Sequence, residues 1–166
     1  MQPPGMVRGT VIDTSVPPPD WHRRQAVSAY NRAWKLIDTA ERSPAQDDEM
    51  LRAAFASRYH WEQVGGDEQR AVGDWQIAHV ASLLRMPELA QRYARLALER
   101  TEGAGWRGWR LASAREGMAR ALATAGDGAG RDRYIALARQ ALADEDDAAD
   151  RAHIESQLAT VPGVGD

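Results

Sequence analysis

The 166-residue chain has no cysteine, a single phenylalanine (Phe55) and a single lysine (Lys35) among its 21 basic residues. Without cysteine there is no disulfide scaffold, thiolate zinc site, cysteine-ligated iron–sulfur cluster or cysteine nucleophile. No apolar run approaches the ~20 residues that span a bilayer, and the first residues lack the basic-then-apolar order of a secretory leader. The expected setting is therefore cytoplasmic, without membrane association. A formal charge of −3 gives no general attraction to nucleic acid.

What is present points to helices. Alanine makes up roughly a sixth of the chain and arginine, leucine, glutamate and glutamine are frequent, all strong helix formers, whereas valine, isoleucine and aromatic residues other than tryptophan are few. Residues 1–19 carry Pro3, Pro4 and Pro17-Pro18-Pro19 and read as a flexible proline-rich arm. Residues 20–161 then repeat one punctuation, a capping residue, an apolar-periodic stretch and a glycine or proline, which predicts a single all-α domain of seven helices. Residues 162–166 form a short flexible tail.

The first helix is expected from Asp20 as N-cap to about Glu41, with Val27, Tyr30, Trp34 and Ile37 as its apolar stripe. Ser43-Pro44-Ala45-Gln46 opens the second with a capping box and a proline at the first helical position, and Gly65-Gly66 closes it. The third runs from Asp67 to about Met86, the fourth from Pro87 to about Arg100. Gly103, Gly105 and Trp106 introduce the fifth, which ends at Gly126-Asp127-Gly128; the sixth covers Ala129 to Ala143. The acidic hinge Asp144 to Asp147 leads to the seventh, ending before Pro162. Short connections make neighbours antiparallel. The third helix is apolar on two sides, through Val72, Trp75, His79 and Leu83 and through Ile77, Val80, Ala81 and Leu84, so it lies between neighbours.

Trp75, Ile77, Ala78 and Ala81, followed by Pro87, Ala90, Tyr93, Ala94, Ala97 and Leu98, resemble a degenerate tetratricopeptide (TPR) repeat. Met118, Ala119, Ala121, Leu122, Tyr134, Ala138 and Leu142 repeat the theme; Ala97 and Ala138 lie 41 residues apart, against about 34 for that family. The resemblance covers Asp67 to Leu142 and implies helical hairpins stacked as a right-handed superhelix, with helices one and two a divergent pair and helix seven a terminal cap. The segment Ala53 to Gly65 is similar to a bacterial family of small helical-repeat proteins without an assigned activity.

Candidate functional residues are polar-aromatic clusters. Arg58, His60 and Trp61 lie together on helix two, and antiparallel pairing brings Trp75 level with Ser57, so that Arg58, Trp61 and Trp75 could stack. His60 and His79 are expected roughly 10 Å apart along the helix axis, too far to share an ion, and His22 and His153 are assigned to opposite ends of the fold. No metal and no cofactor are expected. Trp106, Trp109 and Arg110, with Arg107, have the composition of an interaction hot spot at the start of helix five, where free N–H groups also offer an anion site. The structural alternative is that these aromatics seal helix seams and these histidines are packed. The seven acids from Asp144 onward face the seven arginines between Ala104 and Ala143, so the last helix is expected to neutralise the pair before it.

No nucleophile–base arrangement is legible. The reading is a non-catalytic protein- or peptide-binding helical-repeat module whose groove, formed by the first helices of successive pairs, draws on Arg58, His60, Trp61, Trp75, His79, Trp106, Trp109 and Arg110. Its alternatives are a small-molecule sensor or helical enzyme with a closed aromatic pocket around His60 and His79, and a homodimeric structural protein. A protein or peptide partner is expected, and nucleic acid is not.

Overall fold

The computed structural model describes residues 16–164, and these are all-helical. Seven helices follow one another: α1 (Pro19–Ile37), α2 (Pro44–Val64), α3 (Asp67–Leu83), α4 (Pro87–Gly103), α5 (Gly108–Thr124), α6 (Gly128–Leu142) and α7 (Ala148–Leu158). None of them is long and apolar enough to cross a membrane. Most of the proline-rich arm lies outside the described residues. Of the expected tail, Pro162 lies against α6, its carbonyl accepting from Arg131.

Local chemistry sets most boundaries. Ser43 Oγ accepts from the Gln46 N–H while Gln46 Oε1 accepts from the Ser43 N–H, completing the capping box in front of Pro44. Asp127 and Asp147 cap α6 and α7 through their carboxylates. Asp20 does not cap α1: Pro18 occupies the N-cap position and Asp20 sits in the first turn, where its charge suits the helix dipole. α1 stops at Ile37, short of Glu41, where the Thr39 hydroxyl donates to the Lys35 carbonyl and Arg42 donates to the Leu36 and Ile37 carbonyls. α5 starts at Gly108, so Trp106 and Arg107 belong to the connecting loop.

Three alanine-rich cores lie in succession along the chain. Ala33, Leu36, Met50, Ala54, Ile77 and Val80 join α1, α2 and α3. Ala78, Ala81, Ala90, Ala94, Met118 and Ala121 join α3, α4 and α5, and Ala112, Ala138, Leu142, Ile154 and Leu158 join α5, α6 and α7. Small side chains let the helix backbones approach closely, the arrangement of stacked antiparallel hairpins. Residues 73–81 of α3 are buried on every side, as the double stripe requires.

The hairpins α3–α4 and α5–α6 are two copies of one unit. Their first helices begin at Asp67 and Gly108 and their second at Pro87 and Gly128, 41 residues apart in each case. Even the left-handed turn between the paired helices recurs at that offset, at Arg85 (φ 55°) and Gly126 (φ 80°). The stripe expected for α1 is corrected: its buried face is His22, Ala26, Ala33 and Leu36, and Val27 is exposed. Tyr30 and Trp34 are half-buried on another face, which they share with α3, α5 and α7.

Candidate functional site

On the face shared by α1, α3, α5 and α7 the side chains line a half-open cavity of about 140 Å³, to which Ala97 and Thr101 of α4 also contribute. Its aromatic wall is Tyr30 and Trp34 from α1, Trp75 from α3, Trp106 from the loop before α5 and Trp109 from α5. Glu68, Arg110, Ser113, His153 and Gln157 supply its polar groups.

The wall is held rigidly. The Trp75 ring stacks on Trp34 (centroids 5.8 Å apart, 29° between planes), and its indole N–H donates to Glu116 Oε2 at 3.0 Å. Glu116, fully buried, is gripped from its other oxygen by Arg120 at 2.6 and 2.9 Å. Arg120 in turn donates to the Gln157 and Thr160 carbonyls and the Thr160 hydroxyl, fastening α7 and the chain beyond it to α5. Gly117 makes this possible: a Cβ there would lie 2.8 Å from Trp75 Cδ1. The tryptophan that walls the cavity is thus oriented by a buried charge pair behind it.

His79 packs beneath the wall, 5.2 Å from Trp75 and 5.8 Å from Trp34, centroid to centroid. Burial, with a smaller contribution from the Arg120 charge, lowers its pKa to about 3, so the imidazole is neutral. At the rim, Arg110 lies 4.6 Å above the Trp109 ring and donates to Glu68 Oε1 at 2.7 and 3.1 Å. Through Glu68 the guanidinium bridges α3 and α5 while it lies over the indole.

Of the residues expected at the site, Trp75, Trp106, Trp109 and Arg110 converge on the cavity, and His79 supports it from below. Arg58, His60 and Trp61 lie elsewhere. Arg58 donates to the buried Asp74 (2.7 Å) and to Glu62 (2.6 Å), and Arg100 reaches Asp74 from α4 at 2.9 Å. Asp74 thereby ties α2, α3 and α4 together, so the expected Arg58–Trp61–Trp75 stack does not form: the two acids attract Arg58 more strongly than a ring face would. Trp61, half-buried, packs against the turn at Gly65.

His60 meets a partner that sequence spacing did not suggest. His22 Nδ1 lies 2.8 Å from His60 Nδ1, and Trp21 stands nearly perpendicular to both rings. The two meet because α1 doubles back along α2 and brings its first turn to the last turns of that helix. Burial and the neighbouring imidazole both lower the His60 pKa. Among the described residues the two expected pocket histidines sit in separate ring clusters, His60 with Trp21, His22 and Tyr59, and His79 with Trp34 and Trp75. Among the described residues no group of three or more metal-ligating side chains occurs.

The start of α5 is not free for an external anion. The Trp109 N–H donates to Glu145 Oε2, and Gly108, at φ 58°, is required there because a Cβ would fall 2.6 Å from that oxygen. The acidic hinge and α7 thus close on the basic hairpin, with Arg107 3.7 Å from Asp144 of the hinge and Arg139 3.5 Å from Glu155 of α7. Tyr30, Trp34, Glu68, Ser113, His153 and Gln157 are cavity residues that sequence reasoning did not single out. Ser113 and His153 share the lining, and His153 Nε2 lies 3.2 Å from Gln157 Nε2.

No protein-family model matches the chain, and neither does any curated protein.

Proposed function

We propose that the protein is a non-catalytic, TPR-like helical-repeat module that binds a protein or peptide partner along the face of α1, α3, α5 and α7. The observation that carries this reading is the size and chemistry of the aromatic cavity. At about 140 Å³ it is comparable to the roughly 150 Å³ cavity that admits a single benzene and well below the ~300–1,000 Å³ of pockets for drug-sized ligands. It fits one apolar side chain. The surrounding tryptophans and Arg110, held by Glu68, provide the residue types that dominate interaction hot spots. Helices α1, α3, α5 and α7 supply most of the lining, with Ala97 and Thr101 added from α4, as in a stack of hairpins whose first helices form a binding groove, and the recurring 41-residue unit supports the TPR resemblance. Because the wall is braced by Glu116 and Arg120, a partner binds without rearranging it.

The test is selection from a random-peptide library on the intact protein, followed by titration against Trp109→Ala and Arg110→Ala. Truncating a hot-spot aromatic costs at least about 2 kcal/mol, roughly 30-fold in affinity. A selected peptide that binds both variants as tightly as the parent, or a library that yields no binder, overturns the reading.

A further inference from the structure

We infer that His22 and His60 form a one-proton latch, and that taking up a second proton releases the first turns of α1, residues 19–25, from the end of α2. The pair stands apart from the cavity, so the inference is independent of the peptide-binding reading. Its basis is geometry. The two Nδ1 atoms lie 2.8 Å apart, and the ring centroids, 5.0 Å apart, match that contact plus the two ring radii. The nitrogens therefore lie close to the line between the rings and point at each other. One Nδ1–H donates and the other Nδ1 accepts. Opposed across a metal ion at ~2.0–2.1 Å per bond they would stand about 4 Å apart, so the gap suits a proton and not a metal. The neutral pair and the singly protonated pair both keep this bond. Doubly protonated, the pair sets two N–H donors and two positive charges face to face.

The start of α1 depends on this bond. Pro18 offers no side-chain cap, and His22 is the one buried residue of α1 before Ala26. From Ala26 onward the helix is fastened independently. Ser57 Oγ donates to the Ala26 carbonyl at 2.9 Å, Arg32 donates to both Glu49 oxygens at 2.7 and 2.8 Å, and Ala33 and Leu36 enter the core. The hinge thus falls between Gln25 and Ala26. Among the described residues neither ring has a carboxylate partner that would offset a second charge. α1 carries Asp20, Arg23 and Arg24 in these turns, all exposed, and α2 carries exposed Tyr59 together with Arg58 and Glu62, which bond each other, Arg58 also bonding Asp74. Burial opposes the His60 imidazolium, and the charge that adds to this is that of His22. Release separates Trp21 from both histidines and frees the turns that lead into α1, while Tyr30 and Trp34 keep their places in the cavity wall.

An NMR titration of the full-length protein from pH 8 to 4 tests this by following the His22 and His60 ring protons together with the backbone amides of α1. The pair should titrate in two steps separated by more than about one pH unit. In the second step the amides of residues 19–25 should move toward their unfolded positions while those of residues 26–37 stay. His22→Phe keeps a ring against Trp21 and removes one of the two charges, so His60 should titrate about one pH unit higher than in the parent and the acid step in residues 19–25 should disappear. The parent titration decides the matter even where the variant does not fold. A single step for both rings near pH 6.5, residues 19–25 that keep their shifts through the second step, or an acid step unchanged in His22→Phe overturns the inference. Movement of residues 26–37 in that same step overturns it too, because it marks loss of the whole helix.

Discussion

Acid should unfold this protein through His79. Its ring is wedged against Trp34 and Trp75, is 8% exposed, and leaves Nδ1 buried without a hydrogen-bond partner. The folded state holds the imidazole neutral down to about pH 3, against an ordinary value of 6.5. Between these values the unfolded chain binds a proton that the native ring does not, so stability falls as pH falls. The loss begins near pH 6.5 and levels off below about pH 3. At 1.36 kcal/mol per unit, the penalty from this one residue is roughly 3 kcal/mol at pH 4.5 and about 5 kcal/mol at its limit. A domain of this size has ~5–15 kcal/mol in total, so the effect is large enough to measure. Urea unfolding from pH 7.5 to 4 on the parent and on His79→Met isolates it, because the carboxylates titrate alike in both. The methionine keeps an apolar contact with the two indoles and removes the titrating group, so the curves should converge toward acid pH. An NMR titration in which the His79 ring protonates near pH 6.5, or an unchanged acid slope in His79→Met, refutes the reasoning.

Three further outcomes follow from the packing. Glu116→Leu leaves Arg120 buried without its carboxylate and should cost about 3–5 kcal/mol in urea unfolding, whereas Glu116→Leu with Arg120→Met should recover most of the loss; a single variant within about 1 kcal/mol of the parent contradicts the role given to the pair. Gly117→Ala should destabilise by about 1–2 kcal/mol despite a helix-propensity gain of ~1 kcal/mol, because the new methyl meets the locked Trp75 ring at 2.8 Å, and a raised melting temperature would show that the ring yields. Arg85→Gly should stabilise by about 0.5–1 kcal/mol, since exposed Arg85 holds the left-handed conformation that Gly126 takes in the second repeat; a lowered melting temperature in calorimetry refutes it.

The fold was legible because its signals are local. Ser43-Pro44 with Gln46, Gly65-Gly66, Pro87 and Asp127 each act within one helical turn, and each boundary lies where such chemistry puts it. Asp20 is not the cap, because proline suits the first helical position and Pro19 takes it, which leaves Pro18 at the N-cap. The site was half-legible, and the division is physical. Trp75, Trp106, Trp109 and Arg110 announce themselves by size and charge at one seam. Tyr30 and Trp34 were seen, but on a helix where periodicity suggested core; the true core stripe of α1 is built from Ala26, Ala33 and Leu36, small residues that a hydrophobicity pattern ranks below a tryptophan. In an alanine-packed protein the large aromatics are not needed to fill the seams between paired helices, so they are available to line the remaining face. Arg58 and His60 failed as site residues for a related reason. Their fate depends on Asp74, 16 positions away, and on His22, 38 positions away, and a pairing across helices is set by the rotation of each helix about its axis, which spacing within one helix does not encode.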